Sequence, residues 1–387
     1  MAEWQTVRLG EIVKTNQSTY SPKENWQFVN YLDTGNITMN KIDEIQYINT
    51  AKDKLPSRAK RKVKTNSIIY STVRPNQLHY GIIKEQPDNF LVSTGFTVID
   101  VNYDKAVPDF IYYALTKQEV TEQLQAIAEQ SVSAYPSLKP SDIENLEFML
   151  PDKKTQERIV AILRSIDEKI KENNAINNNL EQQAQTIYQQ MFIDNARSDW
   201  AEGTLSDIAD ITMGQSPSGS SYNEDGTGTI FFQGRAEFGF RFPSVRLYTT
   251  EPKRMARSND TLMSVRAPVG DLNVAHMDCC IGRGLAAIHS KSHHQSFVLY
   301  TMFSLKKQLD VFNGEGTVFG SINRNSLNDM PILIPSDDIL DEFERIVAPM
   351  DLTIRNNYDE NCRLQDIRDT LLPRLMSGEL DVSDIDI

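Results

Sequence analysis

The sequence predicts an α+β protein, of mixed α and β structure, in which two repeated globular domains are joined by two long antiparallel helices. Three observations support this fold class. The two halves of the 387-residue chain resemble each other, each half ends in a segment with a heptad pattern, and each half contains short apolar runs typical of strands. Such a repeat predicts a pseudo-two-fold symmetric molecule.

The internal repeat recurs at three places along each half. Its openings match at Trp4, Leu9 and Ile12 and at Trp200, Leu205 and Ile208, and further on Thr72-Val73-Arg74 matches Ser264-Val265-Arg266. The segment Leu146–Pro151 then matches Met330–Pro335, at an offset of 184 residues. The same offset relates Asp167 to Asp351, Ile170 to Ile354, Leu180 to Leu364 and Thr186 to Thr370.

The repeat divides the chain into four segments. Residues 1–150 are predicted to form the first globular domain and 151–195 the first long helix. Residues 196–335 are predicted to form the second globular domain, and 336–387 the second long helix with an acidic tail.

The two predicted helices carry the same polar interruptions. Apolar residues from Ile159 onward alternate in steps of four and three, which is typical of a coiled-coil seam. Asn173 and Asn177 interrupt this seam, and Asn357 and Asn361 interrupt the second helix at matching places. If a pseudo-two-fold axis relates the helices, Asn173 faces Asn361 and Asn177 faces Asn357. Buried amides at such positions would fix register and orientation, because a slipped alignment would place them against apolar side chains.

An alternative is that each helix packs separately on a domain core, as single amphipathic helices more often do. Two helices with one register and equivalent interruptions favour packing against each other. Pro373 interrupts the second helix, and we expect a kink or an end near it because proline removes a backbone hydrogen bond.

Within the globular domains, short apolar runs predict strands and longer periodic runs predict helices. Strands are expected at 67–70 and 96–99, and helical structure is expected from Phe110 to Gln130. The Gly- and Ser-rich residues 214–228 predict a long polar loop, where binding residues are often found.

Composition limits the class of protein. The chain is long enough for two or more domains, and it contains no run of about 18 apolar residues and no signal-peptide pattern. We therefore expect a cytoplasmic protein without membrane contact. Cys279, Cys280 and Cys362 cannot build a disulfide framework and lack zinc-ligand spacing, so we expect reduced structural residues.

The net charge of -13 argues against nucleic acid as a partner, but its distribution weakens that objection. Residues 336–387 contain five basic and 14 acidic residues, so most of the excess negative charge lies there. Elsewhere a basic run has the composition of a phosphate-binding surface, although charge runs are usually only solvated faces. The run comprises Lys52, Lys54, Arg58, Lys60, Arg61, Lys62 and Lys64, and its thinner counterpart comprises Arg246, Lys253, Arg254 and Arg257.

Base reading requires side chains that can pair with base edges, which arginine, asparagine and glutamine provide. Arg74, Asn76 and Gln77 lie beside Pro75, and Arg266 is the counterpart of Arg74 in the matched triplets. Residues that specify different sequences should differ between the two halves. We therefore predict phosphate or structural roles for the two arginines and base contacts for Asn76 and Gln77.

Signatures of catalysis are missing from the sequence. There is no Asn/Asp-Pro-Pro-Tyr/Phe loop for adenine methylation and no GxxxxGK[ST] phosphate loop, so we expect no enzymatic activity and no cofactor. His289, His293 and His294 are close together, but they lie in a polar stretch without carboxylates at ligand spacing. We expect a solvated surface there and no metal site.

The sequence resembles the specificity subunits of type I restriction-modification systems. One motif that carries the resemblance begins at Pro151-Asp152 and continues with Gln156-Glu157, Ile159-Val160, Leu163 and Ile166-Asp167. The other runs from Leu371-Leu372-Pro373 through Leu375 to Ser377-Gly378-Glu379. The second helix departs from the first motif, with Asp341-Glu342-Phe343-Glu344 where a Glu-Gln pair is typical.

This resemblance implies that each globular domain is a target recognition domain for one half of a bipartite double-stranded DNA site. It also implies that the helices set the half-site spacing and dock two modification subunits, with restriction subunits joining the complex. The chain itself would be non-catalytic. Two alternatives from other classes are a coiled-coil assembly adaptor that binds proteins and a nuclease with a poorly marked carboxylate site.

Overall fold

The computed structural model describes residues 4–131, 136–314 and 320–385. The chain divides into two compact units, a first unit of Met1–Ile170 with Cys362–Ile387 and a second unit of Lys171–Asn361. Both units mix helices and strands, and both contain part of each long helix.

The first unit is built on two four-stranded sheets, with strand orders β6-β3-β10-β7 and β2-β11-β8-β9. A two-stranded ribbon, β1-β12, and a small hairpin, β4-β5, complete its β structure. The strands are β1 (Gln5–Arg8), β2 (Val13–Thr15), β3 (Phe28–Leu32), β4 (Ile37–Thr38), β5 (Lys41–Ile42), β6 (Gln46–Asn49), β7 (Ala59–Lys62), β8 (Ile68–Ser71), β9 (Tyr80–Ile82), β10 (Phe90–Ser93), β11 (Phe96–Val101) and β12 (Glu147–Leu150).

The apolar runs of the sequence become the central strands of this unit. Every residue of β8 and β10 is buried, as expected for strands covered on both faces. The strands predicted at 67–70 and 96–99 are confirmed as β8 and β11, which pair antiparallel with Phe96 opposite Ser71.

Helices accompany these strands. They are α1 (Pro108–Leu115), α2 (Gln118–Glu129) and α3 (Pro140–Glu144). The helical stretch predicted from Phe110 to Gln130 is therefore two helices. Lys117 adopts an extended conformation, with φ −61° and ψ 143°, and this interrupts the α-helical hydrogen bonding.

The central helix, α4 (Lys153–Tyr188), follows the first set of strands and ends in a short π-helix, Gln189–Asp194. In the part of α4 that belongs to the first unit, Ile159, Val160 and Leu163 are buried in the same core as Phe110. The apolar seam read from the sequence is thus the packed face of this segment.

The second unit also contains two larger sheets, with strand orders β15-β17-β16-β21-β18 and β14-β22-β19-β20, and a ribbon, β13-β23. The predicted polar loop 214–228 contains the 3-10 turn Gly219–Ser221 and a two-residue strand. The strands are β13 (Ala201–Thr204), β14 (Ala209–Met213), β15 (Tyr222–Asn223), β16 (Thr229–Phe232), β17 (Leu247–Thr249), β18 (Met255–Ala256), β19 (Thr261–Ser264), β20 (Leu272–Val274), β21 (Cys279–Ile281), β22 (Leu285–Ser290) and β23 (Pro331–Ile334).

The helices of the second unit surround an aromatic core. Tyr188, Phe192, Phe297 and Phe343 form ring contacts with centroid separations from 4.8 to 6.4 Å. The short helices are α5 (Leu205–Ile208), α6 (Gln295–Ser304), α7 (Lys306–Leu309) and α8 (Arg324–Asn328).

The last helix, α9 (Asp337–Met376), continues through two prolines. It ends three residues after Pro373, close to where the sequence predicts a kink or an end. Pro349 lies in the helix interior and was not singled out from the sequence, yet the helix is uninterrupted there. Among the residues that the structure describes, no helix is both long enough and apolar enough to span a membrane.

Candidate nucleic-acid interface

The basic run of the first unit lies on the connection from β6 to β7 and on β7 itself, and its last member, Lys64, follows β7. The connection opens with a turn in which the Asn49 carbonyl accepts hydrogen bonds from the backbone N–H groups of Lys52 and Asp53, at 3.0 and 2.8 Å. The side chains of five of its seven cations are exposed. These are Lys52, Lys54, Arg58, Lys60 and Lys64.

The remaining two cations of the run are held by the unit itself. Lys62 forms an ion pair with Glu24, and its Nζ lies 5.1 Å from the centroid of the Trp26 ring. Arg61 is half-buried on β7, and this burial lowers the pKa of its guanidinium. The exposed members of the run are therefore the better placed to meet phosphates.

In the second unit the cations are fewer. Lys253 and Arg254 are exposed on the connection from β17 to β18, and Arg257 is exposed just after β18. Arg246 forms ion pairs with Glu224 and Glu237, at 3.2 and 3.1 Å, so two carboxylates already neutralise it. Arg246 is for that reason the weakest of the predicted phosphate contacts.

Strand pairing gives cations of the two units the same register. Lys62 on β7 pairs with Leu91 on β10, and Met255 on β18 pairs with Cys280 on β21. Counting from these pairs, Lys60 corresponds to Lys253, Arg61 to Arg254 and Lys64 to Arg257. The side chains next to two of these cations lie at matching places as well. Lys64 lies 3.7 Å from Asp100 on β11, and Arg257 lies 3.3 Å from His289 on β22.

The predicted base-reading residues Asn76 and Gln77 are exposed in the 3-10 turn Pro75–Gln77. Arg74 and Leu78 flank the turn and both have positive φ, 49° and 58°. The backbone N–H of Asn76 donates to Gln125 Oε1 on α2 at 3.2 Å, which ties the turn to the helix and leaves its amide side chain outward.

Backbone hydrogen bonds align Thr72-Val73-Arg74 with the second unit one residue further along than the sequence match to Ser264-Val265-Arg266. Thr72 N–H donates to the Gly95 carbonyl at 2.8 Å, and in the second unit the corresponding bond runs from Val265 N–H to Gly284 at 2.9 Å. Arg74 N–H donates to Pro136, as Ala267 N–H donates to Gly320. Arg266 therefore occupies the place of Val73, and the prediction that Arg74 and Arg266 are counterparts is wrong.

The asparagines of the long helices meet within the second unit. Asn173 Nδ2 donates to Asn361 Oδ1 at 2.9 Å and to Glu360 at 2.7 Å, and Asn357 Nδ2 donates to Asn177 Oδ1 at 2.8 Å. These are the two pairs expected from the repeat offset. Since 173 pairs with 361 and 177 with 357, the two helix segments of this unit run antiparallel.

In each unit a tyrosine on a shorter helix, α1 or α6, forms a hydrogen bond with an aspartate on a long helix. The sequence analysis did not single out these tyrosines. In the first unit Tyr113 OH on α1 donates to Asp167 on α4 at 2.7 Å, and Arg368 lies 3.3 Å from the same carboxylate. Burial, followed by the nearby Asp167 carboxylate, raises the pKa of Tyr113.

In the second unit Tyr300 OH on α6 donates to Asp351 on α9 at 2.9 Å. The buried Arg241 lies 3.0 Å from Asp351 and 2.9 Å from Glu181, so it connects both long helices to the globular part of this unit. Burial raises the pKa of Glu181. The repeat offset of 184 residues, which relates Asp167 to Asp351, is the sequence feature from which these two contacts could have been predicted.

In the second unit, two of the histidines singled out from the sequence lie beside carboxylates. His289 lies 2.6 Å from Asp260, and the buried His294 lies 2.9 Å from Asp341. These carboxylates come from distant segments. The prediction of a solvated surface is wrong for His294, which is buried, whereas His289 is partly exposed beside its carboxylate. In the described ranges, no three His, Cys, Asp or Glu side chains are grouped so that they could hold a metal ion.

Comparison with known proteins identifies relatives along the whole chain. Residues 1–182 match the model of the type I restriction modification DNA specificity domain. The type I restriction enzyme HindI specificity subunit of Haemophilus influenzae is 26% identical, and the match covers 98% of this chain and 100% of that protein.

Two solved structures are also similar to this chain. The HsdS subunit from Thermoanaerobacter tengcongensis is 30% identical, with 97% of each chain covered and a TM-score of 0.42. The type I restriction-modification S subunit from M. genitalium is 16% identical, with 99% of this chain and 97% of that chain covered, and its TM-score of 0.60 shows a shared fold. The chain belongs to the family of type I restriction-modification specificity subunits.

Proposed function

We propose that this chain is the DNA specificity subunit of a type I restriction-modification complex and that each of its units reads one half of a bipartite DNA target. The observation that carries the proposal is the recurrence of exposed cations at corresponding positions of the two units, at Lys60/Lys253 and Lys64/Arg257. A structural role alone would not require exposed positive charge at these places, whereas neutralising phosphates would.

Strand order supports treating the units as repeats of one recognition domain. The order β6-β3-β10-β7 has the counterpart β17-β16-β21-β18, and β2-β11-β8-β9 has the counterpart β14-β22-β19-β20. In each unit a two-stranded ribbon, β1-β12 or β13-β23, leads into a long helix. A chain with two such domains is suited to a target with two halves.

Phosphate contacts position a protein on DNA, and groove contacts specify the sequence. The recurring cations suit the first task because they occupy the same strand edge whichever bases are read. The net charge of -13 does not oppose this assignment, because the acidic excess lies mainly in residues 336–387 and the cations lie elsewhere.

The long helices are proposed to set the distance between half-sites and to dock two modification subunits, which restriction subunits then join. The antiparallel asparagine contacts support the first role because they hold one alignment of α4 against α9 within the second unit. The relatives are named as specificity subunits, and we assign no catalytic step and no cofactor to this chain.

The adaptor alternative, a coiled-coil scaffold that binds only proteins, is not favoured by family membership. The two functions differ in a measurable way. DNA held through phosphates is released as salt increases, with a slope set by the number of contacts, and a protein adaptor has no such dependence on DNA.

Exchange of one unit's globular part tests the proposal directly. Residues 1–150 are replaced by the equivalent segment of a relative, the chain is expressed with its modification subunits, and methylated adenines are mapped across the genome. We expect one half of a two-part sequence to change and the other half to persist. Methylation that ignores the exchange, or that moves to an unrelated one-part sequence, would contradict the proposal.

A further inference from the structure

We propose that the first unit reads bases with a composite surface formed by the β4-β5 hairpin and the turn Pro75–Gln77, and that Met39 at the hairpin tip is a specificity-determining residue. This inference rests on the proposed function. Asn76 and Gln77 were predicted from the sequence, whereas the residues of the β4-β5 hairpin were not.

The hairpin β4-β5 has a two-residue loop at its tip. Ile37 pairs with Ile42 and Thr38 pairs with Lys41, so only Met39 and Asn40 remain in the loop. Both have positive φ, 48° and 65°, which is the geometry of a type I′ turn. A two-stranded ribbon of this kind is one of the two elements that fit the major groove of B-DNA, which is about 12 Å wide.

The residue at the tip is unfavourable for its backbone conformation. Type I′ turns favour Asn-Gly, and a methionine in the left-handed region costs roughly 1 kcal/mol. Met39 does not recover this cost by burial, since 47% of its surface is exposed. Strained backbone positions cluster at functional sites. We infer that the chain retains the Met39 side chain for a contact outside the protein.

Hydrogen bonds join the hairpin tip to the end of the turn and to β9. Met39 N–H donates to the Leu78 carbonyl at 2.9 Å, and Asn40 N–H donates to the Tyr80 carbonyl at 2.8 Å. The Asn40 side chain accepts from Ile82 N–H at 2.9 Å. Among the described residues other than glycine and asparagine, positive φ occurs at Met39, Arg74, Leu78 and His293, and three of these four lie here.

The exposed side chains on this surface match base edges. Asn76 and Gln77 offer paired donors and acceptors for adenine, and Lys41 offers a donor for guanine. Thr38 offers a hydroxyl, and the Met39 thioether offers an apolar contact for a thymine methyl group. Reading through such a surface requires no catalytic group and no ion.

The second unit has a different structure at the corresponding place. The connection from β16 to β17 has no hairpin, and it carries Arg241 and Phe242 inward, where both are buried. Ala267 stands where the first unit has Arg74. The units thus share their phosphate-facing cations and differ in this connection, as two modules that read different half-sites should.

The test uses the complete chain with its modification subunits and a DNA library in which every base pair of the target is randomised in turn. Met39→Gly removes the side chain and suits the positive φ, so the hairpin should persist. Gln77→Ala removes one amide from the turn. For each variant we expect discrimination at one or two base pairs of the first half-site to fall about tenfold or more, with the second half-site unchanged.

Gln86→Ala is the matched control, since Gln86 is an exposed amide on the loop at the other end of β9. It should methylate the same sequences as the parent. An unaltered first half-site in both Met39→Gly and Gln77→Ala, or an equal loss of discrimination in both half-sites, would overturn the inference while leaving the proposed function in place. A parent complex that directs no methylation to a two-part sequence would overturn the proposed function as well.

Discussion

Asn173 donates its side-chain amide to Asn361 Oδ1 across 2.9 Å, and both residues are buried between the long helices of the second unit. The Asn173 amide also reaches Glu360, and the Asn361 amide donates to Asn174 at 3.0 Å. An apolar seam would pack in several alignments, whereas these amide hydrogen bonds form in only one. The contact therefore gives the antiparallel pair a defined register at some cost in stability.

Removing one partner of this contact should destabilise the protein. Asn173→Leu leaves the buried Asn361 oxygen without its donor, and we expect a loss of about 1–3 kcal/mol, seen as a lower midpoint of thermal unfolding. Asn178→Leu, on the exposed face of the same helix, is the control and should change the midpoint little. Equal midpoints for Asn173→Leu and the parent would show that the contact does not stabilise this alignment.

The exposed cations should contribute to DNA affinity for every sequence. Replacing Lys52, Lys54 and Lys60 by alanine removes three side chains that are exposed, and the slope of log K against log salt should become shallower by about 2.7 if each meets one phosphate. Binding of the assembled complex to specific and non-specific duplexes at graded salt measures this.

A matched control removes three exposed lysines outside the basic run, Lys14, Lys105 and Lys154. Its salt slope should stay close to that of the parent. Identical slopes for the two triple variants would make the basic run an ordinary solvated face.

Asp109 should make the stability of the first unit depend on acid pH. Burial opposes ionisation of this carboxyl, but hydrogen bonds from Lys84 and Arg164 hold its pKa below the usual value. A carboxyl with a lowered pKa in the folded state stabilises the protein above its unfolded pKa of about 3.9, and this contribution is lost as the pH falls through the folded pKa.

Asp109→Asn should therefore be less stable than the parent at pH 7, by about 1–3 kcal/mol, and the difference should shrink below about pH 4. Unfolding midpoints measured from pH 7 to pH 2.5 test this. Asp104→Asn, in an exposed loop of the same unit, serves as the control. A difference that stays constant over the whole range would exclude the assigned ionisation.

Some features of the protein could be predicted from its sequence. The asparagine contacts followed from a repeat of constant offset, because a helix has a fixed rise per residue and one offset determines every pair. The long helices and the buried strands followed from their periodicity.

Other features depended on contacts that no local pattern encodes. The triplets around Arg74 and Arg266 matched by residue type, whereas strand register is set by backbone hydrogen bonds such as those of Thr72 and Val265. The carboxylate partner of His294 lies 47 residues away along the chain. The strained tip at Met39 could not be predicted, because its sequence lacks the glycine that usually marks a type I′ turn.

The most direct test of the account lengthens both long helices by one matched heptad, after Ile170 in α4 and after Asn361 in α9, where the compact units divide. Seven residues add about 10 Å at roughly 1.5 Å per residue, which corresponds to about 3 base pairs at roughly 3.4 Å each. Mapping of methylated adenines should then show two unchanged half-sites separated by a spacer about 3 base pairs longer. An unchanged spacer, with both half-sites still methylated, would contradict the proposal that the helices set the distance between them.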